Sequence, residues 1–160
     1  MSEQSITNDE KRIVYAILKT KLKIAIQQEF YLEALLLEYS ILEDRLSSIL
    51  EHSRIRNTNS KGESLGIQAK LNKISNAIRS KRVPVYQKVR QDLIDDILNW
   101  KEERNILVHR SCQRLYDSDE VKACAIHGND IVRRLTNAAA AVKRNSKGMK
   151  EKMYGQLSDH

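Results

Sequence analysis

The sequence predicts an all-α fold, a single bundle of four to six helices spanning residues 1–160. Three observations carry that expectation. Apolar residues recur at steps of three and four along most of the chain, which gathers them on one face of a helix. The chain holds one proline and five glycines, too few for the turns that a sandwich or barrel of short strands requires. The longest unbroken apolar run, residues 13–18, has six residues, whereas a membrane span needs roughly 18.

The first helix is expected to begin near Asn8, because Thr7 and Glu10 have the spacing of a capping box. Ile13, Ile17 and Ile24 form one apolar line along it, with Val14, Leu18, Leu22 and Ile26 beside them, so a broad face should be buried. A second helix steps through Leu32, Leu35, Tyr39, Leu42, Leu46 and Ile49, a seam suited to packing within a bundle or between subunits. Around Gln28 to Phe30 the pattern marks no clear break between the two. Residues 54–66 lose the periodicity and collect Asn, Ser and Gly, which reads as a polar, mobile loop.

A third helix follows through Ile67, Leu71, Ile74 and Ile78. Pro84 suits the first turn of a fourth, which continues through Tyr86, Val89, Leu93, Ile97 and Trp100. Asp117 and Glu120 form a second capping box and open a long last helix through Val121, Ile131, Leu135 and Val142. The basic, then polar tail over residues 144–160 is expected to fray.

Lys and Arg total 28 against 21 Asp and Glu, a net charge of +7. Such an excess suits a polyanionic partner or a simply solvated surface. Two cysteines, Cys112 and Cys124, cannot make a disulfide framework, and the N-terminus lacks a basic-then-apolar leader. A reducing, cytoplasmic location and no membrane association are therefore expected.

The residues that invite chemistry lie before the last helix, in KEERNILVHRSCQR. Arg104 extends the stripe of Ile97 and Trp100, so a guanidinium stands where an apolar side chain is expected. Burial there is costly unless the charge is paired, or lines a cleft or subunit interface; a packed stem with a solvated head is the plainer alternative. His109 comes five residues later, about 140° away on a continuous helix. Asn105 tolerates the left-handed conformation that ends helices, and a stop at Arg104 to Asn105 would return His109 toward the guanidinium. An imidazole that exchanges protons near neutrality beside a fixed cation suits phosphodiester cleavage.

Arg104-Asn105-Ile106-Leu107-Val108-His109 resembles the R-x4–6-H motif of HEPN domains, in the form where a polar residue follows the arginine. The resemblance implies a compact helical bundle in which two copies bring their motifs together across a two-fold dimer interface. It also implies a metal-independent endoribonuclease of toxin–antitoxin or antiphage type, without a cofactor. RNA would be the substrate, with an antitoxin or regulatory protein as a possible further partner. Arg104, Asn105 and His109 would be the catalytic residues, and the products a 2′,3′-cyclic phosphate and a 5′-hydroxyl. HEPN toxins silenced by a nucleotidyltransferase carry a tyrosine two residues after the histidine. Ser111 stands there instead, so that mode of control is not expected.

Other readings compete. A second match, Arg45 to His52, lies inside the periodic second helix and reads as solvated surface. His109, Cys112, Cys124 and His127 have spacings that would suit a structural zinc site. Cys124 also falls on an apolar line, where a buried small side chain is the ordinary reading. For RNA, the expected contacts are Arg79, Lys81 and Arg82, in a run with Lys88 and Arg90 that no acid interrupts, together with Arg110 and Arg114 beside the motif. The alternative function is a non-catalytic helical module that binds protein or nucleic acid. No glycine-rich phosphate loop, H-E-x-x-H or G-x-S-x-G sequence is present.

Overall fold

Thr7 opens the first helix as its spacing predicts. Its hydroxyl accepts the Glu10 backbone N–H at 3.3 Å, and the Glu10 carboxylate accepts the Thr7 N–H at 2.7 Å. In the computed structural model, which describes residues 7–111 and 118–155, six helices follow in order. They are α1 (Asn8–Gln27), α2 (Tyr31–His52), α3 (Ile67–Arg79), α4 (Val85–Lys88), α5 (Gln91–Ser111) and α6 (Ser118–Gly155). Among the described residues there is no strand, only an isolated bridge between Thr58 and Ser64. No helix among them is long and apolar enough to cross a membrane.

The apolar seams explain the architecture. Leu35, Leu42, Leu46 and Ile49 of α2 are wholly buried, as are Ile131, Leu135 and Val142 of α6. These two helices form the central pair. α1 packs against α2, α5 against α6, and α3 bridges α2 and α5.

Two sequence expectations need correction. First, only one flank of α1 is buried. Leu22 and Ala25 reach the core, whereas Ile13, Val14, Ile17 and Ile24 remain half exposed. The apolar pattern alone does not reveal that these four stay open to solvent, Ile24 lining a shallow groove with Phe30, Leu36 and Leu37 beside α2. Second, the expected fourth helix is two helices. Val89 takes an extended backbone (φ −119°, ψ 124°) and buries its side chain, separating α4 from α5. Residues 54–66 hold one another by hydrogen bonds. The Asn59 side chain accepts the N–H groups of Lys61 and Glu63, and Leu65 N–H donates to Asn57. α6 runs on to Gly155, and residues 156–160 of the expected fraying tail lie outside the described residues. The capping box expected at Asp117 lies outside the described residues.

The helix ends also explain why the α1–α2 break was hard to see. Phe30 N–H bonds back to Ala25 O and Glu29 N–H to Ile26 O, with Glu29 at φ 60°. That is a Schellman ending with a glutamate in the left-handed position usually given to glycine. Arg54 (φ 54°) ends α2 and Lys81 (φ 53°) ends α3 in the same manner. No glycine punctuates any of the three.

Candidate functional site

α5 runs unbroken through the motif to Ser111, so the expected stop at Arg104 to Asn105 does not occur. Leu107 is buried at 3% exposure, and continuing the helix places it on the same face as Trp100. Burying a leucine is worth about 1.5–3 kcal/mol, more than the helix penalty of well under about 1 kcal/mol for an asparagine. Asn105 is therefore held in the helix. Arg104 keeps the buried side it shares with Trp100 and Leu107, while His109 is exposed on the other side of α5. Within one chain the imidazole and the guanidinium do not face each other.

Arg104 is nevertheless tightly placed. Its guanidinium carbon lies 4.8 Å from the centre of the Tyr39 ring, stacked in a cation–π contact. One terminal nitrogen donates to the Asn105 side-chain oxygen at 3.1 Å. Its Nε is buried and has no hydrogen-bond partner. Among the described residues, no carboxylate forms an ion pair with it.

Next to Tyr39 in α2 comes a polar group that the sequence reading missed. Glu38 is wholly buried, and neither carboxyl oxygen has a hydrogen-bond partner. Burial pushes its carboxyl up to about 9, so it is protonated and neutral at pH 7. It sits against Gly128 of α6: a Cβ there would lie 2.2 Å from Glu38 Oε2 and 2.6 Å from Trp100 Nε1. The indole Nε1 donates to Cys124 O at 3.0 Å. Glycine at 128 thus lets α2 and α5 close on α6. The signal was present in the sequence, since Glu38 stands three residues after Leu35 and four before Leu42.

Other buried charges in the bundle are satisfied. Lys70 pairs with Glu43 at 3.2 Å, and Lys101 donates to Gln68 at 2.7 Å. Unsatisfied groups are exceptional in folded proteins and mark sites that packing alone does not explain.

The zinc alternative gains little. Burial, with Glu103 and Glu38 adding to it, pushes the Cys124 thiol up to about 12, unlike the thiolate a metal needs. His127 instead faces Asp96 at 3.8 Å. Cys112 lies outside the described residues, and among those described no three potential ligands cluster.

The second motif match is not open surface. Arg45 and His52 line one cleft of about 510 Å³ between α1, α2 and α6. The Arg45 guanidinium stacks on Tyr15 at 3.9 Å and pairs with Asp44, so it ties α2 to α1.

The expected RNA contacts separate into two groups. Arg110 lies beside His109, 3.8 Å from Glu120 of α6. Arg79 and Lys81 are exposed at the opposite end of the bundle. Arg82 is there too, but its guanidinium donates to the backbone oxygens of Ser53 and Arg54 at 3.3 and 2.9 Å, a tie between α2 and the α3–α4 turn. Arg114 lies outside the described residues. Compared with protein-family models, with curated proteins and with solved structures, the chain matches none.

Proposed function

We propose that this chain is a homodimeric, HEPN-type endoribonuclease that works without a metal. The observation that carries the reading is Arg104: a guanidinium on a buried stripe, oriented by Tyr39 and Asn105, with no carboxylate paired to it among the described residues. A cation held in that way is preorganised for a phosphate, whose developing charge it stabilises at little reorganisation cost.

The chemistry assigns each group a step. One His109 takes the proton from a ribose 2′-hydroxyl, whose oxygen attacks the adjacent phosphorus. The new O2′–P bond forms as the P–O5′ bond breaks, and the 5′ oxygen takes a proton from the second His109. Arg104 holds the non-bridging oxygens, and Asn105 orients the guanidinium. Products are a 2′,3′-cyclic phosphate and a 5′-hydroxyl. Because His109 and Arg104 lie on different sides of α5, a second copy supplies the imidazole that faces a given guanidinium.

Incubation with single-stranded RNA in EDTA tests this. Cleavage is expected, with His109→Ala and Arg104→Ala each reducing it by about a hundredfold or more and His52→Ala leaving it unchanged. Cleavage undiminished in both motif variants would refute the assignment. The second reading, a non-catalytic interaction module, draws on the exposed apolar line of α1 and would take over in that event.

A further inference from the structure

The end of the bundle remote from His109 gathers exposed cations from three helix ends, with Glu51 and the Arg90-paired Asp92 as acids nearby. Arg54 ends α2, Arg79 and Lys81 end α3, and Lys88 ends α4; all four are exposed. None of them has an ion-pair partner among the described residues. Arg82 fixes this arrangement by bonding to the carbonyls of Ser53 and Arg54. Asn145 donates to Gln87 at 3.4 Å and so brings the C-terminal half of α6, with exposed Arg144, alongside α4.

Two apolar side chains lie exposed among these cations, Val83 at 40% and Tyr86 at 48%. Tyr15, Tyr31 and Tyr39 are packed against the core, so Tyr86 is the exposed tyrosine among those described. An open aromatic face set among unpaired cations has the composition of a platform for single-stranded nucleic acid. The cations hold phosphates and the ring stacks a base of any identity. A lone solvated basic helix would offer the first property without the second.

We infer that the α3–α4 corner is a docking surface for single-stranded RNA, with Tyr86 stacking a base and Arg54, Arg79, Lys81 and Lys88 holding the flanking phosphates. The inference rests on RNA being the ligand in the proposed function and adds where the strand is held. Gln91 and His109 lie at opposite ends of α5, about 27 Å apart along the helix axis. At about 3.4 Å per stacked nucleotide, a strand held at Tyr86 needs about eight nucleotides to reach His109.

The test measures binding apart from cleavage. Full-length protein carrying His109→Ala is titrated in EDTA with a fluorescein-labelled single-stranded RNA of about 15 nucleotides, read by anisotropy over a series of salt concentrations. Tyr86→Ala should weaken binding between about fivefold and a hundredfold, while Tyr86→Trp stays within about twofold. Arg79→Ala with Lys81→Ala should lower the slope of log affinity against log salt by about 1.4, two single-strand phosphate contacts at about 0.7 each. The Tyr86 variants should leave that slope unchanged. Circular dichroism checks that each variant is folded.

Binding indifferent to Tyr86 overturns the proposal. So does binding of anionic lipid vesicles in place of RNA, or no RNA binding at all. The wild-type cleavage assay separates this from the nuclease reading. Tyr86-dependent binding without cleavage keeps the surface and removes the nuclease, and His109-dependent cleavage indifferent to Tyr86 does the reverse.

Discussion

Glu38→Gln should flatten the pH dependence of stability. The Glu38 carboxyl is buried without a hydrogen-bond partner, and desolvation lifts it from 4.5 to about 9. Between those values the folded chain holds a proton that the unfolded chain has released. Stability linked to this group is therefore fully present below about pH 4.5 and falls as pH rises toward about 9. Each pH unit in that window is worth about 1.4 kcal/mol, so raising pH from about 5.5 to about 7.5 should cost the parent about 3 kcal/mol relative to the variant. Glutamine keeps the shape and removes the titration. Its amide adds donors and shifts absolute stability, so the quantity to compare is the slope.

Urea denaturation of both proteins, followed by circular dichroism across that range, reads the slope directly. Other titrating groups are common to parent and variant and cancel in the difference. Stability curves that run parallel with pH would refute the reasoning, since they would mean that Glu38 binds the same number of protons folded and unfolded.

Gly128→Ala should destabilise by about 1–3 kcal/mol in thermal or urea unfolding, because its Cβ would meet Glu38 and fully buried Trp100 well inside van der Waals contact. A stabilised variant, as helix propensity alone would give, would refute the close approach of α2 and α5. Glu29→Gly, Arg54→Gly and Lys81→Gly should each stabilise by about 0.5–1 kcal/mol by relieving a left-handed non-glycine residue. Melting temperatures would show this, and uniform losses would refute it. Arg82→Ala should cost about 1–3 kcal/mol, since it leaves two backbone oxygens without their charged donor. A shift under about 0.5 kcal/mol would make Arg82 a free surface cation, available as the RNA contact that the sequence predicts.

The seams of α2, α3 and α6 were legible because their apolar residues repeat at helical spacing and each finds a partner helix. α1 shows the limit of that logic. Its two apolar lines look alike in sequence, yet Leu22 reaches the core while Val14 of the same line and Ile13, Ile17 and Ile24 of the other stay half exposed, and which ones do so depends on how α1 crosses its neighbours. Helix ends were less legible for a different reason. Three of them use Glu29, Arg54 and Lys81 where glycine would have announced the turn, the backbone being held by the Schellman hydrogen bonds instead. Arg104 was conspicuous as a charge on an apolar stripe. Glu38, equally misplaced between Leu35 and Leu42, was hidden by reading the α2 seam through Tyr39, its neighbour. Both place an ionisable side chain at a core position of a helical repeat, and that is a signal the sequence carries in either helix.

The continuity of α5 turns the dimer from a resemblance into a geometric requirement of the proposed chemistry. Arg104 shares the buried side with Trp100 and Leu107, while His109 shares the exposed side with Ile106, three residues earlier. Ile106 is 51% exposed, an apolar side chain next to the residue that the proposed chemistry pairs with a second copy. If the copies join through this face, Ile106→Glu places an unpaired charge in the interface and should dissociate them, at a cost of several kcal/mol when the charge is buried. The substitution leaves the core untouched, so helicity should remain that of the parent. Sedimentation at micromolar concentration should then show a dimer for the parent and a monomer for the variant, and RNA cleavage should fall with the dimer. A monomeric Ile106→Glu protein that cleaves at the parent's rate would show that one chain suffices. It would also break the link between Arg104 and His109 on which the mechanism depends.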